Sequence, residues 1–142
     1  MKYVSFLLFS VTLLSNCNSA NIANNKSETS QKEPELTGTY FVSTLYGEDV
    51  SKYKLTLTFD PSKKTLSGFS GCNSYTSEYS VDGKLLTTGF PIATKMFCEE
   101  TSNLEKQFFK MLSEEKNKNL EGNTLSLTNG KKENILFAKK EK

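Results

Sequence analysis

From residue 36 onward, polar and apolar positions alternate along the chain. In Tyr53-Lys54-Leu55-Thr56-Leu57-Thr58-Phe59 the odd positions are apolar or aromatic and the even ones polar, the period of a strand with one buried face. Asp60-Pro61-Ser62-Lys63-Lys64 carries turn chemistry and links that strand to Thr65–Phe69 as a hairpin. Tyr75, Ser77, Tyr79 and Val81 share a face of the next strand, and Asp82-Gly83 signals a tight hairpin into Leu85–Gly89. Thr39–Leu45 reads as a strand with Tyr40, Val42 and Thr44 on one face. Thr124–Leu127 and Asn134–Ala138 close the chain around Asn129-Gly130-Lys131-Lys132.

One segment breaks the period. Leu104, Phe108, Met111 and Leu112, widened by Phe109, fall at helical spacing. Ser102-Asn103-Leu104-Glu105 matches a capping box, in which Ser102 and Glu105 satisfy the first free amides reciprocally. Asn117 or Asn119 is expected to end the helix. About six to eight short antiparallel strands with one inserted helix predict an α+β fold, a curved antiparallel sheet or partly open barrel plugged by one amphipathic helix. The aromatic residues Tyr40, Phe59, Phe69, Tyr79, Phe108, Phe109 and Phe137 are read as its core.

The N-terminus has a different pattern. Met1-Lys2 precedes an apolar run, Val4 to Leu14, which at about eleven residues is too short to span a ~30 Å hydrocarbon layer and suits a secretory signal. Leu14-Ser15-Asn16-Cys17 resembles the lipobox of bacterial lipoproteins, in which the cysteine receives a diacylglycerol and the new amine is acylated after cleavage. The alternative is an ordinary signal cut near Ala20. Residues 18–35 hold almost no apolar side chains and cannot offset the entropy of ordering. The expected organisation is a signal peptide at 1–16, a lipidated disordered tether at 17–35 and one domain at 36–142. Cys17 is the expected lipidation site and the membrane the expected partner through it.

Composition removes whole classes of function. The 18 basic residues are all lysines, set against 16 carboxylates, and they are scattered. Without the bidentate fork of arginine a nucleic-acid partner is not expected. No histidine occurs, which excludes Ser-His-Asp and Cys-His nucleophiles and removes the commonest neutral metal ligand. The expectation is no enzyme, no metal and no cofactor.

Ser70-Gly71-Cys72-Asn73-Ser74-Tyr75 and Pro91-Ile92-Ala93-Thr94-Lys95-Met96-Phe97-Cys98 carry a family likeness. So do Leu36-Thr37-Gly38-Thr39-Tyr40, the strand at Leu55–Asp60, Glu105 with Phe108 and Phe109, and Leu125-Ser126-Leu127 with Leu136-Phe137. With these motifs the chain resembles the META domain family, the HslJ-like heat-shock-associated proteins, from Leu36 to about Lys139. Tyr40 stands where the family usually has tryptophan, and Lys95 where it usually has arginine. The resemblance implies an envelope or secreted protein linked to stress tolerance, with no established catalytic activity. It also implies a shape like that of the pilot lipoproteins of secretion systems, which take a lipid chain into their interior.

Two functions are therefore expected to compete. One is a non-catalytic lipoprotein, lipid-anchored to the outer membrane and facing the periplasm, that binds another envelope protein. The other is a carrier of an apolar ligand or acyl chain inside the barrel. Cys72 and Cys98, in the two densest motif blocks of an exported domain, are expected to form a disulfide; the alternative is two buried free thiols. Gly71 and Asn73 are expected to shape a bulge or tight corner, with Asn73 bonded to main chain. The functional alternative is a small polar pocket lined by Asn73, Tyr75 and Lys95. Glu99-Glu100 are assigned to the positive end of the helix dipole.

Overall fold

The structure, a computed structural model, describes residues 34–140. The expected signal peptide at 1–16, the expected lipidation site Cys17 and nearly all of the expected tether lie outside the described residues. Among the described residues there are ten strands and one α-helix: β1 Gly38–Leu45, β2 Glu48–Asp49, β3 Thr56–Asp60, β4 Thr65–Phe69, β5 Ser74–Asp82, β6 Leu85–Thr88, β7 Ile92–Ala93, α1 Ser102–Ser113, β8 Lys116–Glu121, β9 Thr124–Thr128 and β10 Asn134–Lys140. Every pairing is antiparallel. Eight strands run in the order β1, β3, β4, β5, β6, β8, β9, β10, and β10 pairs back with β1 to close a barrel. Of the two extra strands, β2 flanks β1, and β7 takes over the edge of β5 where β6 leaves it.

The closure is uneven. Between β6 and β8 only Leu85↔Asn117 and Leu86↔Lys116 are paired. The helix packs beside this narrow seam and turns Phe108, Met111 and Leu112 inward, all at 1% exposure or less. Alternate residues fill the interior, including Leu57, Leu66, Leu86 and Leu125. Two edge-to-face aromatic stacks run through it, Tyr40–Phe59–Tyr79 and Tyr75 against Phe108 and Phe109. Among the described residues no helix is long and apolar enough to cross a membrane.

Several expectations are corrected. Tyr53 belongs to a 3-10 turn at Ser51–Tyr53, and Lys54 is left-handed with φ +54°, so β3 starts only at Thr56. A bulge in β1 between Val42 and Thr44 reverses the alternation and puts Leu45, not Thr44, in the core. A second irregularity, between Asn134 and Leu136, buries Ile135 and Leu136 in succession and turns Phe137 out to 37% exposure. Phe69 is only half-buried. The helix stops at Ser113, and Asn117 and Asn119 are the outward residues of β8, not helix ends.

Candidate functional site

The chain turns from β4 into β5 through Ser70-Gly71-Cys72-Asn73. Gly71 sits at φ +97°, a conformation open to glycine and strained for other residues. The turn is tied locally: the Ser70 amide donates to the Asn73 carbonyl (2.8 Å), and the Asn73 amide donates to the Ser70 hydroxyl (3.2 Å). This geometry aims the Asn73 side chain at the segment after β7. Asn73 is only 3% exposed.

All four hydrogen-bonding capacities of that side chain are in use. Its amide nitrogen donates to the Met96 carbonyl (3.1 Å) and to both Glu105 carboxylate oxygens (3.0 Å each). Its oxygen accepts from the Met96 amide (2.8 Å) and the Thr94 hydroxyl (2.7 Å). Glu105 also takes a short bond from the Ser70 hydroxyl. Beside this knot Cys72 and Cys98 are bonded as a disulfide, with Cα atoms 5.9 Å apart. The Thr94 amide adds a bond to the Ser74 carbonyl (3.1 Å). The stretch 94–98 is therefore held from one side by a covalent link, an asparagine and a main-chain bond.

The structure does not gather Asn73, Tyr75 and Lys95 into a polar pocket. Tyr75 is buried, donates to the Thr56 carbonyl (2.7 Å), and has its phenol pushed far above the ordinary range by desolvation. Lys95 is exposed. The groove beside Tyr75, about 370 Å³, is lined by Ser74, Thr76, Ile92, Ala93 and Thr94 and opens on the outer surface. The one hydroxyl that meets a carboxylate among the described residues of this corner, Ser70 on Glu105, is fully buried.

The capping box is not formed either. Ser102 lies inside the helix with its hydroxyl on the Glu99 carbonyl (3.2 Å), Thr101 occupies the cap position, and Glu105 is spent on the corner. Glu99 and Glu100 do sit in the 3-10 turn that leads into the helix. Sequence reasoning missed Glu105 as the partner of Asn73, 32 residues away. The available signal was a carboxylate set between Leu104 and Phe108 on the apolar stripe, where a charge needs a buried partner.

It also missed Lys116. That side chain is 1% exposed, donates to the Leu112 carbonyl (2.8 Å) and to the Glu114 carbonyl, and so caps the C-terminal end of the helix. Burial pushes its ammonium down to about 8, against the opposing pull of Glu114 and Glu115. Its signal was the two-residue period of Lys116, Lys118 and Leu120.

Outside the corner, the surface of the 90–97 stretch is apolar: Phe90, Ile92, Met96 and Phe97 all face solvent.

A family model described as the META domain matches residues 34–142. A search of curated proteins finds no match. Three solved structures share the fold. One, an NMR structure 25% identical to this chain, has a TM-score of 0.58 and covers 72% of this chain and 87% of its own. An NMR structure of a protein from Burkholderia xenovorans is 20% identical, with a TM-score of 0.59 and coverage of 74% and 83%. A crystal structure of a DUF4847 family protein from Bacteroides vulgatus is 15% identical, with a TM-score of 0.59 and coverage of 75% and 94%.

Proposed function

Because the chain belongs to the META domain family, we propose that it is a non-catalytic lipoprotein of the cell envelope that supports stress tolerance or envelope integrity by binding another envelope protein. The 1–16 segment acts as the export signal, Cys17 carries the lipid, and residues 17–35 tether the barrel to the outer membrane on its periplasmic side. The observation that carries this reading is the corner at 70–73. Its chemistry-bearing groups, the two cysteines, Asn73, Tyr75 and Glu105, are all bonded to one another or to main chain, which leaves the surface to do the work. The disulfide fits an oxidising compartment outside the cytoplasm.

The filled interior favours this reading over a carrier of an acyl chain. Tyr40, Phe59 and Phe108 occupy the barrel at 2% exposure or less, and the clefts of about 220–370 Å³ are surface grooves.

Labelling cells with tritiated palmitate tests the anchor: the wild-type chain takes up label and Cys17→Ser does not. Capture of the anchored protein from membranes under heat or antibiotic stress tests the role. A reproducible envelope partner is expected, and its absence in repeated captures sinks the binding reading.

A further inference from the structure

The disulfide joins two sulfurs in unlike surroundings. Cys72 is 6% exposed and sits within the 70–73 corner. Cys98 is half-buried, and its neighbours Lys95, Met96, Phe97, Glu99 and Glu100 all face solvent. A thiolate arriving from water therefore reaches Cys98 and not Cys72. Exchange proceeds by attack on one sulfur of the pair, and access decides which one.

The bond is also set in a frame that does not depend on it. Asn73, next to Cys72, holds the amide and the carbonyl of Met96, two residues before Cys98, at 2.8 and 3.1 Å. Thr94 places its hydroxyl on Asn73 (2.7 Å) and its amide on the Ser74 carbonyl (3.1 Å). Beyond the cysteine, the Thr101 amide donates to the Cys98 carbonyl (3.2 Å). None of these bonds uses a sulfur atom, so they persist when the S–S bond opens. They keep the two cysteines near their bonded separation of 5.9 Å between Cα atoms. Re-closure is then a reaction between groups already in place, with the high effective concentration that positioning gives. The opened form has a partner for its new thiol as well. Cys72 Sγ lies 3.5 Å from the Met96 carbonyl oxygen, where an S–H group donates weakly.

We propose that Cys72 and Cys98 form a reversible thiol-exchange site. Cys98 takes up a small external thiol as a mixed disulfide, Cys72 is the resolving thiol, and Asn73 is the positioning residue that keeps the two in register. In the opening step the external thiolate forms a bond to the Cys98 sulfur and the Cys72–Cys98 bond breaks. Cys72 leaves with the electron pair, takes a proton from water and turns to the Met96 carbonyl. In the closing step Cys72, again as thiolate, attacks the Cys98 sulfur and expels the external thiolate. The cycle involves no net oxidation. A second external thiol attacking the mixed disulfide leaves both cysteines reduced and the two external thiols joined as a disulfide. The site depends neither on the lipid anchor nor on the envelope role.

Millimolar glutathione, added to the oxidised full chain carrying Cys17→Ser, tests it. After an acid quench and N-ethylmaleimide treatment, peptide mass mapping is expected to find glutathione on Cys98 and the maleimide on Cys72. In single-thiol variants, the Cys98 left by Cys72→Ser should react with N-ethylmaleimide more than about tenfold faster than the Cys72 left by Cys98→Ser. Closing is followed as glutathione release from the purified mixed disulfide. Thr94→Val, which removes one bond from Asn73, should slow release severalfold. Asn73→Ala should slow it by more than about tenfold, with the adduct still on Cys98. If Asn73→Ala does not fold, Thr94→Val carries the test alone. An adduct on Cys72, or equal labelling of the two sulfurs, overturns the proposal. So does a closing rate indifferent to the corner variants, and so does a disulfide that glutathione opens only in urea.

Discussion

Asn73 does with a side chain what a neighbouring strand does with a backbone. Its carboxamide exchanges an N–H and a C=O with Met96 as one peptide group pairs with another, and this ties an irregular segment to the barrel. Asn73→Ala leaves the Met96 amide and carbonyl and the Glu105 carboxylate without these partners. The expected loss is about 3 kcal/mol in urea unfolding, the cost of stranding buried polar groups. Asn73→Asp faces Glu105 with a second carboxylate. It should be at least as damaging at neutral pH. Gly68 makes a different demand. A methyl group there would lie 2.1 Å from the Thr56 carbonyl oxygen, in the strand that also receives the Tyr75 hydroxyl. Gly68→Ala should cost about 2–3 kcal/mol through the forced strand displacement, read as a lower urea midpoint.

At the scale of elements, the Cys72–Cys98 link closes a loop of 26 residues by sequence separation. In the chain-entropy account that contributes about 3.5 kcal/mol. Replacing both cysteines with serine should lower stability by that order in chemical denaturation, and dithiothreitol should do the same to the wild type. Most strands were legible because one face is wet: β3, β5 and β9 alternate cleanly, and Asp60 and Gly83 stand in the turns their chemistry announces. β8 was not legible, because its inward positions are Lys116 and Lys118, residues that a polarity pattern turns outward. Nor could local spacing show that Glu105 leaves the helix cap for an asparagine on another element. The phase reversals in β1 and β10 come from bulges, which move every following side chain to the other face and leave no mark in composition. The corner was legible as a corner, from Gly71 and Asn73, but its partners were long-range and invisible.

For the molecule as a whole, the buried lysine gives stability an unusual pH dependence. Lys116 titrates near 8 when folded against an ordinary value of 10.5. Below pH 8 both states are charged and the folded one bears the desolvation penalty in full. Between about 8 and 10.5 the unfolded chain binds the extra proton, so raising the pH favours folding by up to about 3 kcal/mol. Tyr75 acts in the opposite sense. Its folded value is raised above 10, so its contribution is present below pH 10 and is lost above it. The urea midpoint should therefore climb from pH 8 to about 10 and then fall. Lys116→Met should flatten the climb and leave the fall.

The seam between β1 and β10 has a consequence in time. The strand that opens the domain, at 38–45, finds its second neighbour only at 134–140. During synthesis β1 can pair with β3, but the ring stays open until β10 has emerged. Contacts of such long sequence separation form slowly. Until that strand is available, the nascent chain has no finished barrel to adopt.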